Sequence, residues 1–323
     1  MINCAIAGLG RWGRALVEAA RHVPRLRITR AVETDLDGAR DFCGERRIAL
    51  TNHFASVLED TSIDAILLAT PHSLHKEQVI AAAAAGKQVF CEKPLALRRD
   101  DARAMFAACT EAGLVLAVGH NRRFWPSLAA LREIAASGEL GIILHVEGHN
   151  SNENSNAIVK GWRLSPEESP GGGLTGAGMH VLDAFTNLVG PARRVYASFA
   201  AREAGPPPLD TVMLAIDFAG GVTGTLSTVR ATPFYWRIHL FGSRGSAEVL
   251  DEVTMITRKS GEKPQTVTYA AIDTLAAELD AFADAVAGTH PFPVPEMEVL
   301  ATLAAFEAAL ASISSGQAVS CDA

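Results

Sequence analysis

The chain has little of what marks nucleic-acid and membrane proteins. Lys and Arg number 29 against 36 Asp and Glu, so the net charge of -7 lacks the basic excess needed to neutralise nucleic-acid phosphates. The longest apolar run, around Val79 to Ala85, is far shorter than the roughly 18 residues that cross a membrane. We therefore expect neither a nucleic acid nor a membrane as a partner.

Cysteine is also scarce. An odd count without any C-x-x-C pair is typical of reduced thiols, which predicts a cytoplasmic protein and argues against disulfides or a zinc site. The five cysteines are Cys4, Cys43, Cys91, Cys109 and Cys321. His145 and His149 would share one strand face, but no carboxylate or cysteine cluster with ligand spacing accompanies them. No metal site is predicted.

The first part of the chain has the pattern of an α/β domain. Short apolar runs alternate with helical stretches, as in strand-helix units around a parallel sheet. The predicted strands are Ile2 to Ala7, Arg27 to Val32, Ala65 to Ala69, Gln88 to Cys91 and Leu114 to Val118. The predicted helices are Arg11 to Ala20, Asp37 to Cys43, His75 to Ala85 and Asp100 to Ala112. We predict that residues 1–120 form a doubly wound, parallel Rossmann domain.

The rest of the chain has a different pattern. Along a predicted strand, one face would hold Val212, Leu214, Ile216 and Phe218 and the other Thr211, Met213, Ala215 and Asp217. Ala219-Gly220-Gly221 then supplies a hairpin turn. Leu275 to Ala287 and Glu296 to Ser312 are amphipathic helices, and Pro206-Pro207-Pro208 is predicted to be a surface loop. We predict that residues 121–323 form an α+β domain with a mostly antiparallel, open sheet.

A motif typical of dinucleotide-binding proteins follows the first predicted strand. Gly8-Leu9-Gly10-Arg11-Trp12-Gly13 matches G-x-G-x-x-G between a predicted strand and a predicted helix. Glycines there permit a tight turn and bring backbone N–H groups and a helix N-terminus close to a pyrophosphate. The alternative is a glycine turn that only packs the helix on the strand.

Two acids end the second predicted strand. Glu33 and Asp35 lie about 20 residues beyond the glycines, where a carboxylate binds ribose hydroxyls and repels a 2'-phosphate, which favours NAD over NADP. One of them could instead cap the following helix. Arg11 could also bind a phosphate, so NADP stays an alternative.

Three further segments place chemistry-bearing residues after strands or at a helix start. They are Thr70-Pro71-His72-Ser73-Leu74-His75, Glu92-Lys93-Pro94 and the glycine-rich segment from Gly171 to Asp183 that contains His180. The first two follow predicted parallel strands, and ligands collect at the carboxyl ends of such strands.

Together, these motifs resemble those of the Gfo/Idh/MocA family of glucose-fructose oxidoreductases and inositol dehydrogenases. Their order matches along the chain: the Rossmann glycines, Thr70-Pro71 with His75, Glu92-Lys93-Pro94, and His120-Asn121-Arg122-Arg123-Phe124. Trp162-Arg163 and the glycine-rich stretch that ends in His180 follow. The resemblance covers essentially the whole chain.

The resemblance implies an NAD(P)-dependent oxidoreductase that acts on a sugar, polyol or related hydroxylated compound in an interdomain cleft. It implies that His180 accepts the hydroxyl proton and that Lys93 holds the reacting oxygen. The cofactor site is implied to include Thr70, Pro71, His75, Glu92 and Lys93. A neutral imidazole suits this proton transfer, and the dipole of a helix starting near His180 would disfavour imidazolium.

Substrate residues are implied as well. Asn121, Trp162 and Arg163 belong to the shared segments, and we interpret His149, with Asn150, Asn152 and Asn154, as a polar lining of the substrate face. The alternative for His149 is a solvated loop. Substrate choice is expected to depend on loops such as Ser151 to Gly161.

The chain departs from the family pattern at Gly176. Many members carry an aspartate four residues before the histidine. Asp183, one helical turn after His180, could support that histidine, but the resemblance implies a structural acid at this position. This departure motivates two alternatives: a non-catalytic or regulatory dinucleotide-binding protein, and an enzyme that recycles a tightly bound cofactor. The second domain's open sheet predicts a homodimer or homotetramer.

Overall fold

The computed structural model describes residues 1–152, 161–202, 209–230 and 232–321. It has two compact units, Met1–Asn121 with Asp273–Glu296, and Arg122–Ile272 with Met297–Ala323. The division predicted from sequence assigned Asp273–Glu296 to the second domain, whereas in the structure this segment belongs to the first unit. The reason is packing, since Leu279 and Phe282 of its helix are fully buried in the first unit's core.

The first unit is built on a six-stranded parallel sheet with strand order β3-β2-β1-β4-β5-β6. Its strands are β1 (Ile2–Ala7), β2 (Leu26–Val32), β3 (Ala49–Thr51), β4 (Ala65–Leu68), β5 (Gln88–Glu92) and β6 (Leu116–Gly119). The chain reverses its winding direction between β1 and β4, which is where such sheets bind ligands. The predicted Rossmann fold is confirmed.

Helices alternate with these strands. They are α1 (Arg11–Ala20), α2 (Leu36–Arg46), α3 (Phe54–Glu59), α4 (His72–Ala84) and α5 (Arg99–Glu111). Strands β4 and β6 are buried at every residue, as covered parallel strands should be. Strand β3 and helix α3 were not predicted, because elements of three and six residues are too short to show a hydrophobic period.

The second unit is built on a nine-stranded, mostly antiparallel sheet with order β14-β13-β12-β11-β7-β10-β9-β8-β15. Among the described strands of this second sheet, only β7 and β10 pair in parallel. The strands are β7 (Ile143–Asn152), β8 (Ala192–Ala201), β9 (Asp210–Phe218), β10 (Thr223–Arg230), β11 (Tyr235–Gly242), β12 (Gly245–Val249), β13 (Thr254–Lys259), β14 (Gln265–Thr268) and β15 (Val319–Ser320). The predicted fold class is confirmed.

The remaining helices are α6 (Pro126–Ser137), α7 (Met179–Val189), α8 (Thr274–Ala287) and α9 (Glu296–Ser315), of which α8 belongs to the first unit. Helix α7 packs on β7 at Gly148, where a side chain would collide with Val181 and Phe185. Strand β9 shows the predicted period of two, with Val212, Leu214, Ile216 and Phe218 buried.

By length and composition alone, α9 could cross a membrane, although nearly half of its apolar window (44%) is buried in the fold. Phe306 and Ala309 are fully buried, and Thr302 Oγ1 lies 3.1 Å from Thr186 Oγ1 of α7. A core helix has the same composition, and these contacts are those of a core helix.

The five cysteines form no disulfide in the described parts of the chain. Burial raises the pKa of Cys109 to about 11, and it also raises the pKa of Cys4 and Cys91. Such thiols are poor nucleophiles at neutral pH. The predicted Pro206-Pro207-Pro208 loop lies outside the described residues.

Candidate active site

The first unit gathers its predicted site residues at one edge of the parallel sheet. The glycine segment follows β1, Glu33 follows β2, Thr70 follows β4, Lys93 follows β5 and Asn121 follows β6. Because parallel strands present their carboxyl ends at the same edge, residues from five loops share that edge.

The three glycines of the first loop are required for different reasons. Gly8 has φ +88°, and a Cβ there would lie 2.6 Å from the Ala69 carbonyl oxygen. A Cβ on Gly13 would lie 1.8 Å from the Gly8 oxygen, so Gly13 lets α1 approach the strand turn. No protein atom lies within 4 Å of a Cβ on Gly10, which caps α1 without a side-chain hydrogen bond. This open position, with backbone N–H groups beside it, fits a dinucleotide pyrophosphate.

The structure separates the roles of the two acids after β2. Glu33 Oε2 accepts a hydrogen bond from the Leu9 N–H at 2.6 Å, and Oε1 accepts one from Thr34 N–H at 2.7 Å. Asp35 instead caps α2, where Oδ1 accepts from Gly38 N–H at 3.0 Å. Glu33 is therefore the acid that contacts the glycine loop, and its carboxylate still has lone pairs for ribose hydroxyls.

Arginines flank this loop. Arg11 is exposed, and its guanidinium lies 5.6 Å from the Trp12 ring centre. Arg14, which the sequence reading missed, donates from Nε to the Leu9 oxygen and from a terminal nitrogen to the Gly38 oxygen. Arg14 thus ties the glycine loop to α2.

His75 is fully buried and joins two loops of the edge. Its Nε2 lies 3.1 Å from the Thr70 oxygen, and its Nδ1 lies 3.1 Å from the Pro94 oxygen and 3.2 Å from the Leu95 oxygen. Thr70 Oγ1 donates to Gln78 Oε1 at 2.6 Å, and Pro71 caps α4. These contacts give His75 a role in positioning the loops after β4 and β5.

Lys93 is half-buried immediately after β5, and the Lys93–Pro94 peptide is cis. Its backbone N–H donates to Glu92 Oε2 at 3.3 Å. At the end of the neighbouring strand β6, Asn121 Nδ2 lies 3.5 Å from Thr274 Oγ1 at the start of α8. Lysine, glutamate and asparagine of the predicted site therefore lie on adjacent strand ends.

Glu278 of α8 is an acid near this edge that the sequence reading missed. It is fully buried, and neither carboxyl oxygen has a hydrogen-bond partner in the described parts of the chain. Burial, together with the carboxylates of Glu92 and Asp273, raises the pKa of Glu278 well above its usual range. The sequence does hold one indication of its burial: Glu278 lies one helical turn before Phe282, on the apolar face of the predicted helix.

In the second unit, His180 lies in the first turn of α7 with 6% exposure. A π-helical turn, Leu174–Gly178, precedes it, and Gly173 and Gly178 both have right-handed helical angles. The helical backbone thus begins before α7, at Leu174, and His180 is not at a free helix end. The expected dipole effect on His180 is wrong, since that effect is confined to the first turn of a continuous helix.

The glycine-rich loop before His180 is anchored by residues that carried no sequence motif. Asp210 Oδ1 accepts from the Gly173 N–H at 3.2 Å, and the Asp210 carboxylate pairs with Arg230. Asn150 Nδ2 donates to the Ala177 oxygen at 3.0 Å. Side chains from β7, β9 and β10 therefore fix the segment that carries His180.

Two family models match most of the chain. One, described as an oxidoreductase family with an NAD-binding Rossmann fold, matches residues 2–120, and the Gfo/Idh/MocA C-terminal domain matches residues 128–248. The chain belongs to the Gfo/Idh/MocA oxidoreductase family. It is an NAD(P)-dependent oxidoreductase with an NAD-binding domain, and the predicted family and cofactor are confirmed.

Curated relatives and a solved structure of Gfo/Idh/MocA type resemble the chain. The chain is 28% identical over 257 residues to the 2,7-anhydro-N-acetylneuraminate hydratase of Escherichia coli, and the match covers 77% of this chain and 68% of the relative. It is 30% identical over 276 residues to the levoglucosan dehydrogenase of Pseudarthrobacter phenanthrenivorans, and this match covers 80% of this chain and 65% of the relative. A structure of levoglucosan dehydrogenase with NADH and levoglucosan has the same fold, with TM-score 0.90, 22% identity and full coverage of both chains. None of these findings supports the non-catalytic alternative.

Gly176, where the chain departs from the Gfo/Idh/MocA pattern, has space for a side chain. No protein atom lies within 4 Å of a Cβ placed there, and the residue is exposed. An aspartate would therefore fit at this position without displacing a neighbour.

Asp183 forms a buried ion pair with Arg123 of the Asn121-to-Phe124 segment. Arg123 Nε donates to both carboxylate oxygens at 3.1 and 2.9 Å, and Arg123 also pairs with Glu298. Both partners of the Arg123–Asp183 pair are less than 5% exposed, so removing either one would leave a buried charge. The expectation that Asp183 is structural fits this geometry.

The remaining predicted substrate residues are spread over the second unit. His149 lies on the sheet face away from α7, where Nδ1 lies 2.7 Å from Ser227 Oγ, whereas its neighbour Asn150 faces α7. Geometry therefore gives Asn150, not His149, the position beside the His180 segment, because successive strand residues point to opposite faces. Trp162 and Arg163 stack at 4.0 Å in a short turn, and Asn154 lies outside the described residues.

The described residues contain no group of three or more His, Cys, Asp or Glu side chains placed to hold a metal ion.

Proposed function

We propose that this Gfo/Idh/MocA protein transfers a hydride between NAD and a sugar, polyol or related hydroxylated small molecule. The observation that carries the proposal is the set of residues at the carboxyl edge of the parallel sheet. A glycine loop with an open position at Gly10, Glu33 on that loop, and Lys93 two strands away combine a nucleotide site with an acid–base group.

NAD is favoured over NADP by Glu33. A carboxylate at the end of β2 accepts hydrogen bonds from ribose hydroxyls and repels a 2'-phosphate. Gly8, Gly10, Gly13, Arg11 and Trp12 would hold the pyrophosphate side, and Thr70 and Pro71 would contact the cofactor from the loop after β4. When bound, NAD supplies the hydride acceptor.

The chain's own residues handle the proton. Oxidising a carbinol requires a base for the hydroxyl proton, and His180 has the chemistry to accept it. Lys93 holds the reacting oxygen by donating from Nζ, which favours loss of the proton. His75 and Glu92 position the Lys93 loop through the contacts described above, and Asn121, Trp162 and Arg163 are proposed substrate contacts.

The names of the relatives narrow the substrate class to test. One relative acts on a 2,7-anhydro sugar acid and another is named for levoglucosan. A panel of sugars, polyols and anhydro sugars is therefore appropriate.

The test is calorimetric titration of cofactor-stripped protein with NAD and NADP, followed by the substrate panel with the preferred cofactor. We expect tighter binding of NAD and a change in nicotinamide absorbance at about 340 nm with at least one compound. Failure to bind either cofactor would contradict the glycine-loop assignment. Binding without turnover of any compound would contradict the dehydrogenase assignment.

A second candidate is a redox-neutral reaction in which the cofactor stays bound and is reduced and reoxidised in each cycle. Two observations favour it: Gly176 replaces the usual aspartate, and one relative is named a hydratase. Product formation without net NADH, by protein that retains cofactor through gel filtration, would distinguish this reaction from a dehydrogenase.

Restoring the aspartate tests the importance of Gly176. In the Gly176→Asp variant we expect a folded protein with the melting temperature of the wild type, because the added Cβ meets no atom. If a carboxylate assists polyol oxidation, kcat/KM for polyols rises by about tenfold or more in this variant. An unchanged substrate profile would mean that Gly176 does not determine specificity.

The open sheet face is the proposed subunit interface. Tyr196, Met213 and Tyr235 are at least 40% exposed on this sheet, and an exposed apolar face is commonly covered by self-association. We propose a cytoplasmic homodimer or homotetramer formed through it. Light scattering at micromolar concentration should give a dimeric or tetrameric mass that Met213→Lys lowers. Met297→Lys, on a methionine that is 81% exposed on α9, is the control and should keep the wild-type mass.

A further inference from the structure

A pocket of about 460 Å³ lies in the first unit at the amino-terminal end of the strands, whereas the cofactor edge is at their carboxyl end. It is formed where α1 and α2 end and β2 begins, whereas the cofactor edge is where β2 ends. Its volume is within the range of small-molecule sites. Its lining residues are Val17, Ala20, Arg21, Leu26, Arg27, Ile28, Glu45, Arg46, Arg47 and Ile48.

The lining has two chemically different parts. Five residues are aliphatic, and four of these, Val17, Ala20, Leu26 and Ile48, are buried members of the core. Four of the other five are arginines. The lining therefore combines an aliphatic part that belongs to the core, which we call the floor, with a part made of the four arginines, which we call the wall. This cluster of cations occurs in a chain whose net charge is -7.

Of the four arginines, Arg21 and Arg46 have ion-pair partners among the residues that the structure describes. Arg21 pairs with Glu18 at 2.9 Å, and Arg46 pairs with Glu18 and with Glu45. Arg27 and Arg47 have no ion pair or side-chain hydrogen bond in the described parts of the chain. Two cations of the pocket lining are thus uncompensated by the carboxylates that the structure describes.

The backbone at Arg47 is unusual. With φ +57° and ψ +39°, Arg47 is the single non-glycine residue with positive φ in the described parts of the chain. It follows the last residue of α2, a position where glycine is strongly preferred because a Cβ is unfavourable there. A non-glycine residue in this conformation is more common at functional sites than elsewhere.

Helix termini do not account for this charge pattern. Cations next to helix C-termini complement the helix dipole, and Arg21 and Arg46 occupy such positions on α1 and α2. Arg27 is on a strand, and Arg47 takes a strained backbone where an uncharged glycine would end the helix without strain. The uncompensated charge needs a different explanation.

We propose that this pocket binds a small anion that carries an apolar group, with its phosphate or carboxylate on Arg27 and Arg47 and its apolar group on the aliphatic floor. Guanidinium forks bind both oxyanions in bidentate geometry. The site is separate from the cofactor edge and independent of the proposed reaction.

Isothermal titration calorimetry with saturating NAD present, to occupy the cofactor site, tests the proposal. Hexyl phosphate and hexanoate supply the two head groups on the same apolar body, while inorganic phosphate and hexanol each supply one part only. We expect one site for hexyl phosphate or hexanoate, with weaker binding of the two partial ligands. Arg27→Ala and Arg47→Gly should each weaken binding by about tenfold or more.

The matched control is Arg40→Ala. Arg40 is an arginine of α2, the helix that Arg47 ends, and it pairs with Asp37 outside the pocket. This variant should bind like the wild type. Arg47→Gly should keep the wild-type melting temperature or exceed it, since it relieves the positive φ, so lost binding cannot be attributed to unfolding. The proposal is overturned by failure of both amphiphilic anions to bind at millimolar concentration, by binding that both pocket variants leave unchanged, or by inorganic phosphate binding as tightly as hexyl phosphate.

Discussion

Lys93→Met is expected to lower kcat by about 10²- to 10⁴-fold, the usual contribution of a positioned acid–base group. Methionine keeps much of the length and apolar character of the lysine stem but cannot donate from Nζ. The backbone N–H that contacts Glu92 is retained, so the loop after β5 should keep its conformation. Steady-state kinetics on the best substrate of the panel, with calorimetric NAD binding, measures both effects.

The control for Lys93→Met is Lys263→Met, which removes an exposed lysine in a turn of the second unit. We expect this control to have wild-type kcat and Lys93→Met to bind NAD within about tenfold of the wild type. Wild-type turnover in Lys93→Met would exclude the assigned role. A loss of NAD binding as large as the loss of kcat would assign Lys93 to the cofactor site alone.

Glu278→Gln is expected to stabilise the protein, increasingly so as pH rises. The pKa of Glu278 is raised in the folded state, so the folded chain keeps a proton that the unfolded chain releases above the ordinary glutamate pKa. The contribution of Glu278 to the free energy of unfolding is therefore fully present at low pH, and it falls as pH rises by up to about 1.4 kcal/mol per pH unit until the folded group ionises. The neutral glutamine has nearly the same volume and no such dependence.

Melting temperatures of both proteins at pH 5 to 8 test this expectation, with the difference growing toward pH 8. Glu77→Gln is the matched control, because Glu77 is exposed on α4, and its difference from the wild type should not depend on pH. A Glu278→Gln variant that melts below the wild type at pH 8, or a constant difference across the range, would contradict a buried neutral acid at this position.

The position of Glu278 also explains why it matters for the site. Phe282, four residues later on α8, packs against Phe90 with ring centres 5.9 Å apart, and Glu92 follows Phe90 by two residues on the same strand face. The helix and strand registers therefore bring Glu278 toward Glu92, beside Lys93. A second ionised carboxylate there would repel the first, which is one reason for Glu278 to stay protonated.

Local sequence was sufficient for the parts of the fold with strong periodic patterns. Ile2–Ala7 and Arg11–Ala20 have the predicted bounds, because a short apolar strand, a glycine turn and an amphipathic helix are each encoded within a few residues. The alternation along β9 likewise requires only a period of two. The motif order alone was sufficient to predict the family.

Other features depended on contacts between distant residues. Whether Glu33 or Asp35 contacts the glycine loop could not be read from two acids two residues apart, and the structure resolves it by one hydrogen bond to Leu9 and one helix cap. The expected dipole at His180 was wrong because the π-helical turn before it leaves no helix end. His149 and Asn150 are adjacent in sequence, and only the packing of α7 on β7 shows which of them faces the segment that carries His180.

The sequence by itself determined the two-domain fold class, the family and the NAD cofactor, and it predicted Lys93 and His180 as candidate residues, because motifs of backbone turns and strand ends are local. The tertiary structure decided which unit α8 joins, how Asp210 and Arg123 hold the second unit's segments, and where Glu278 and the arginine pocket lie. These features arise from side chains far apart in the chain. Their energies come from burial and ion pairing, which no local pattern records.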